Sequence, residues 1–184
     1  PILFRDVCEL GGVEATTAYG AKVRVPGNVD ILVAGTSCVD YSNLNNEKQD
    51  LDASGESGRT FRGMMQWVQR HRPPLVILEN VCSAPWERVQ QRFEQQGYRA
   101  GFLRVDTKRF YIPHTRTRVY LVAVDAKAEG MSSSKANAMP AKWKAMVKSL
   151  ERASSSTLEA FLLPSDDPRV HAAREQLALA RRTG

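Results

Sequence analysis

Two short apolar runs, each ending in polar residues, constrain this chain more than any other feature. Residues 29–35 (VDILVAG) form an apolar stretch closed by glycine, and residues 74–81 (PLVILENV) enter from proline and leave through Glu79 and Asn80. Runs of four to eight residues rich in Val, Ile and Leu read as strands, and their near-continuous apolarity suits burial on both faces, as in a parallel sheet. Between them Phe61, Met64, Met65 and Val68 recur at helical spacing. Strand, loop, helix and strand in that order make a βαβ unit, so the expected class is α/β. The chain's 184 residues, 42% hydrophobic and 25% charged, are enough for one such domain and a small appendage.

Downstream, a second helix is expected over 86–96, with Trp86, Val89 and Phe93 on one face and Gly97 as its stop. Residues 98–106 and 118–125 read as two further strands. Their connection carries Lys108, Arg109, Pro113, His114 and Arg116, with Arg118 at its end. Residues 130–137 (GMSSSKAN) read as a flexible linker. Beyond it Trp143, Met146, Val147 and Leu150 form another helical stripe, and 167–182 suggests a last helix. These stripes read first as core packing.

No apolar run is long enough to span a bilayer. The chain opens on Pro1 rather than Met and shows no signal-peptide pattern, which suggests a fragment or a processed product. Its three cysteines, Cys8, Cys38 and Cys82, lack metal-knuckle or redox spacing, so free thiols in a reducing compartment are expected and no metal site. A formal net charge of +6 leans towards a polyanionic partner.

The polar residues sit at informative points. Cys38 follows the first strand, while Glu79 and Asn80 end the second. In open α/β sheets, ligands bind outside the carboxyl ends of parallel strands, so these groups converge on one edge. Arg116 and Arg118 open the strand 118–125 and reach that edge only if it runs antiparallel, as a hairpin from 98–106 would make it. A thiolate, a carboxyl group and a guanidinium together suit chemistry on a cytosine ring. Sulfur adding to carbon 6 makes carbon 5 nucleophilic. A proton held at nitrogen 3 by a carboxyl group whose burial raises its proton affinity stabilises the adduct. An arginine meets the charge growing on the ring carbonyl.

The residues also carry a family resemblance. GTSCVDYSNLN (35–45) resembles the proline-cysteine loop of cytosine-5 DNA methyltransferases. LENV (78–81) is similar to their Glu-Asn-Val motif, and HTRTR (114–118) to their Gln-x-Arg-x-Arg motif. SGRTF (57–61) resembles the segment opening the intervening helix, and FRDV (4–7) a strand-end aspartate motif. Order and spacing agree from residue 4 to about 125, some two-thirds of the chain, and the SCVDYSNLN segment around Cys38 resembles fungal members.

The resemblance implies a Rossmann-like S-adenosylmethionine-dependent methyltransferase fold. Its sheet would be mostly parallel with one antiparallel strand, without its first strands, and with a helical C-terminal appendage. Residues 1–128 would be a partial catalytic domain and 129–184 a linker and helical extension. The resemblance makes Cys38 the nucleophile, sets Glu79 at nitrogen 3, has Asn80 brace the cysteine loop, and gives Arg116 and Arg118 to the cytosine carbonyl. Asp6 and Val7 would contact the adenine of S-adenosylmethionine, with Phe61 and the Ser37 backbone lining the same pocket. DNA would be the partner, its cytosine flipped from the duplex, with the basic loop 104–118 on phosphates. Location would be the nucleus in a eukaryote and the cytoplasm otherwise.

Departures accompany the match. Ser37 stands where the family has proline, Val39 where glutamine is common, and His114 where it has glutamine. The glycine-rich cofactor motif does not precede Asp6, so further domains or a protein partner would supply it. Two other readings stay open: a non-catalytic relative binding DNA or a protein, and an RNA cytosine-5 methyltransferase.

Overall fold

The computed structural model describes residues 1–41, 51, 52 and 54–183. They divide into two compact units: Pro1–Asp106 with Thr117–Leu150, and Thr107–Arg116 with the segment from Glu151 onward. The first unit opens with a small antiparallel hairpin of β1 (Glu14–Thr16) and β2 (Lys22–Arg24). Then follow β3 (Ile31–Gly35), α1 (Glu56–His71), β4 (Leu75–Asn80), α2 (Trp86–Gln95), β5 (Tyr98–Asp106), β6 (Thr117–Asp125) and α3 (Ser133–Ser149). The hairpin is absent from the sequence reading, because strands of three residues leave too short a pattern to register.

The main sheet runs β3-β4-β6-β5. β3 and β4 are parallel, whereas β6 lies antiparallel to both β4 and β5. The α/β class and the antiparallel return of β6 match expectation. Parallel pairing is limited to one of three neighbours, however, so the sheet is mixed rather than mostly parallel. The reason is topological: β5 returns through a hairpin to β6, and a direct hairpin can only be antiparallel.

One face of the sheet forms the core. Val76 and Leu78 of β4 and Leu121 and Ala123 of β6 pack against Phe61, Met64 and Val68 of α1 and Trp86, Val89 and Phe93 of α2. Burying each large apolar side chain contributes roughly 1.5–3 kcal/mol, so the expected stripes on α1 and α2 hold the helices to the sheet. Gly97, at φ 88°, ends α2 in the left-handed region, as its sequence position suggests.

On the other face α3 covers β5 and β6. A Cβ at Gly101 would lie 2.9 Å from the Pro140 ring, so only glycine admits α3 this closely. Residues 130–137 are not a linker throughout: Ser132 caps α3, its Oγ accepting from the Lys135 N–H at 3.3 Å. The inward positions are Ala136, Pro140, Trp143 and Val147, while Met146 and Leu150 are exposed. β3 is an edge strand, and its Ile31 and Val33 are exposed on this face.

The segment 4–7 forms no strand. Phe4 makes an isolated bridge to Thr17, and Asp6 caps a 3-10 turn over Val7–Glu9. The Cys8 N–H donates to Asp6 Oδ1 at 2.9 Å, and Arg59 reaches Asp6 Oδ2 at 3.4 Å. This turn lies directly on α1, where a Cβ at Gly63 would stand 2.9 Å from Cys8 Cα. Glu9 Oε2 accepts from the Thr16 N–H at 2.7 Å, tying the turn to the hairpin.

At the far end of α1, Arg72 adopts the left-handed conformation at φ 47° and clasps the buried Asp125 at 2.9 and 2.5 Å. It also donates to the Gln96 carbonyl at 2.9 Å and lies over the Tyr98 ring. In the second unit, Phe110 bridges to Arg152, Arg109 pairs with Glu151 at 2.6 Å, and α4 (Pro168–Thr183) follows Asp167. Among the described residues, no helix is long and apolar enough to cross a membrane.

Two outcomes follow from these contacts. Arg72→Ala strands a buried carboxylate and should lower stability by about 3 kcal/mol, read by urea unfolding; the second substitution Asp125→Ala should add little further loss. The Cys8 N–H holds the Asp6 carboxyl below the usual range, and the Thr16 hydrogen bond does so for Glu9. A lowered folded value means the stabilisation is complete above about pH 4, the unfolded value, and is lost as pH falls through the folded value. Hydrogen exchange, corrected for intrinsic rates, should show protection at Cys8 and Thr16 constant from pH 7 to about 4 and declining below.

Candidate active site

The parallel register aligns Gly35 with Glu79, so the chain leaves β3 and β4 at the same end of the sheet. Alternation then sends the last two side chains of β4 to opposite faces. Asn80 turns to the core face and is 5% exposed. Its Nδ2 donates to the Thr36 carbonyl at 3.0 Å, the Thr36 hydroxyl at 3.1 Å and the Ser37 carbonyl at 3.4 Å. Its Oδ1 accepts from the Val81 N–H at 2.7 Å. One buried amide thus joins the exit of β4 to the first residues of the Cys38 loop.

The loop is fixed again on the start of α1. The Ser37 N–H donates to Thr60 Oγ1 at 3.2 Å. The Asp40 N–H donates to Ser57 Oγ at 3.0 Å, and the Ser57 N–H donates back to Asp40 Oδ2 at 2.7 Å. The Tyr41 N–H closes a turn on the Cys38 carbonyl at 3.1 Å, and the Ser83 hydroxyl donates to the Tyr41 carbonyl. Cys38 is half-buried between these anchors. Residues 42–45 of the expected loop motif lie outside the described residues.

Glu79 occupies the opposite face with Arg118, its diagonal neighbour across β6. Arg118 Nε stands 3.1 Å from Glu79 Oε1, and its Nη1 donates to the Thr117 carbonyl at 2.8 Å. The Glu79 side chain is 34% exposed, so the burial expected from the sequence is partial. Arg116 belongs to the second unit, where its N–H donates to Thr107 Oγ1 at 3.1 Å.

The other thiols differ in setting. Cys8 Sγ donates to the Arg59 carbonyl at 3.6 Å, and burial, followed by the nearby Asp6, pushes its thiol up and away from the thiolate. Cys82 is exposed just beyond β4. Among the described residues, no cluster of His, Cys, Asp and Glu could hold a metal ion.

The four residues expected at a cofactor do not share one cleft. Val7 lines an apolar cleft of about 200 Å³ with Phe4, Leu32, Met64 and Trp67. Phe61 is a core residue on the other side of α1, lining a cleft of about 230 Å³ with Met65 and Arg92. The Asp6 carboxylate is occupied by its own turn and Arg59, and Ser37 stands in the cysteine loop. Sequence reasoning missed the partners Thr36, Asp40, Ser57 and Thr60. The Asp40–Ser57 contact spans 17 positions and follows no local spacing rule, so only the fold reveals it.

Comparison with known proteins bears on the same segments. The family model for C-5 cytosine-specific DNA methylases matches residues 13–174. A Cryptococcus neoformans protein named DNA (cytosine-5-)-methyltransferase DMT5 is 64% identical over 181 residues, covering 98% of this chain and 7% of that protein. A Verticillium dahliae protein of the same name is 33% identical, over 94% of this chain and 9% of that protein. The chain therefore spans less than a tenth of the length of these two relatives. Among solved structures, S. pombe Dnmt2 methyltransferase is similar at a TM-score of 0.41 and 20% identity, over 57% of this chain and 33% of that one. With a family model covering most of its length and a relative 64% identical over 98% of it, this chain belongs to the C-5 cytosine-specific DNA methylase family.

Proposed function

We propose that this chain carries the catalytic loop of a DNA (cytosine-5-)-methyltransferase, with Cys38 as nucleophile. The observation that supports this most is the joining of the Cys38 loop to the end of β4 by Asn80, beside the paired Glu79 and Arg118. Ring nitrogen 3 and the carbonyl oxygen of cytosine are adjacent on one edge of the base. An acid and a guanidinium 3.1 Å apart suit that edge.

In this reading the base is turned out of the duplex. Cys38 Sγ, as thiolate, bonds to carbon 6, and the displaced electron pair makes carbon 5 nucleophilic. Glu79 holds a proton at nitrogen 3 while Arg118 meets the charge growing on the carbonyl. Once carbon 5 has gained its methyl group, loss of its proton drives out Cys38 Sγ and restores the ring. Asn80 keeps the Thr36 and Ser37 carbonyls, and so the sulfur's backbone, in register with β4. Arg116 is assigned a supporting role at the carbonyl side through the motif alone.

S-adenosylmethionine would supply the electrophilic methyl group. Val7 would hold its adenine, since the apolar cleft with Phe4, Leu32 and Met64 suits a flat ring. Ser37 is assigned to the cofactor through the motif alone, since its N–H is committed to Thr60 Oγ1. The Asp6 and Phe61 assignments have less support, because the one is committed to Cys8 and Arg59 and the other lies across α1. The support for an adenine site thus rests on the apolar cleft around Val7. We assign residues 1–128 to the catalytic domain and 129–184 to its extension, whose helix α3 packs on β5 and β6 of that domain. The partner is DNA, approached in part by the basic loop 104–118, and the fungal relatives favour a nuclear site of action.

Assayed in the intact protein, Cys38→Ser should reduce methyl transfer to duplex DNA to background with an unchanged circular dichroism spectrum. DNA carrying 5-fluorocytosine should be trapped on Cys38; an adduct mapped to Cys8 or Cys82 would remove the assignment. Glu79→Gln should lower turnover about 100-fold, the usual scale of general acid catalysis. Transfer RNA methylated in place of DNA would favour the RNA reading.

A further inference from the structure

The first turn of α1 lacks a cap of its own. Its N-cap residue is Gly55, which has no side chain to offer, yet the opening N–H groups of a helix need acceptors. Asp40 supplies one from the cysteine loop: its carboxylate accepts from the Ser57 N–H, and the Ser57 hydroxyl accepts from the Asp40 N–H. Both residues are buried, at 6% and 0% exposure. This has the reciprocity of a capping box, but the two halves come from distant segments. The acid at this helix start also favours the helix dipole.

One residue before Cys38, a second bond reaches the same turn. Thr60 Oγ1 accepts from the Ser37 N–H at 3.2 Å and lies 3.0 Å from the Glu56 carbonyl and 3.2 Å from that of Ser57, to which it donates. A proline at position 37 would have no N–H and could not make this bond, although its ring would restrict the same backbone. Serine at 37 and threonine at 60 therefore form a matched pair.

We propose that Thr60 is the positioning residue for Cys38, its hydroxyl doing through the Ser37 N–H what a ring constraint would otherwise do, with Asp40 and Ser57 holding the other side of the loop. Thr60 touches neither base nor cofactor in this proposal; it acts through the Cys38 backbone. The inference rests on Cys38 being the nucleophile. The loop is clamped at positions −1 and +2 relative to the sulfur-bearing residue, and both clamps lie on one helical turn. The geometry of the thiol is then set by α1 rather than by the loop's own stiffness.

The test is a double-substitution cycle of Ser37→Pro and Thr60→Val. Thr60→Val keeps the shape of the side chain but removes the acceptor. In the intact protein it should lower kcat roughly two- to tenfold, the scale of one hydrogen bond, with KM for DNA unchanged. Thr60→Ser should restore the rate. With proline at 37, Thr60→Val should cost nothing further, since the donor is already gone. In the chain itself, amide exchange at Ser37 should rise in Thr60→Val and stay slow in Thr60→Ser.

An additive cycle, or a Ser37 amide indifferent to Thr60→Val, would overturn the proposal. If Thr60→Val does not fold, Thr60→Ala takes its place, and the cycle is run between serine and proline at 37 and threonine and alanine at 60. Cys38→Ser with full activity would instead sink the nucleophile assignment, and it would leave the amide result intact, so the two failures are distinguishable.

Discussion

A carboxamide buried at the end of a strand must find partners for two N–H bonds and a carbonyl, or cost the fold about 1–3 kcal/mol for each group left unmatched. Asn80 meets this demand across the parallel junction of β3 and β4, in the backbone carbonyls of Thr36 and Ser37 and in the Val81 N–H. The rest of the site depends on that exchange. It ties two crossover loops that share no sequence, and so gives the Cys38 segment one departure angle from the sheet. Because the parallel register sets Gly35 beside Glu79, the same junction decides which side chain faces the core and which faces outward.

From this junction the chemistry divides by strand alternation. Asn80 serves architecture on the buried face, and Glu79 meets Arg118 on the other. The pairing depends on the antiparallel run of β6, which brings Arg118 diagonal to Glu79. A parallel β6 would carry its first residues to the opposite end of the sheet. The mixed sheet is therefore more than a departure from expectation, since the guanidinium reaches the acid because of it.

The sequence disclosed the large elements well. Phe61, Met64 and Val68 announced α1, and the runs at 29–35 and 74–81 became β3 and β4, because apolar periodicity is the same physics that buries them. It failed where the signal was short or borrowed. The three-residue strands of the hairpin carry no period, and Asp6 was read as ending a strand when it caps a turn. The serine-rich stretch at 130–137 read as a linker, yet Ser132 is a helix cap. At the site, Cys38, Glu79, Asn80 and Arg118 stand out in the sequence because their residue types carry chemistry, and the fold adds the Asn80 tie to the cysteine loop and the Glu79–Arg118 pair. Thr60 and Ser57 do not stand out, since a hydroxyl inside a helix turn has no distinctive pattern until its partner's position is known.

The missing cap on Gly55 has one more consequence, for how order is shared within the molecule. An uncapped helix start frays readily, yet this one is completed by Asp40, and the same helix is pressed to the sheet by Phe61, Met64 and Val68. Hydrogen bonds at Asp40 and Thr60 thus join helix onset and cysteine loop, so opening either one gives up contacts of the other. The hydrophobic face of α1, which packs on the sheet, thereby also bears on the backbone around Cys38.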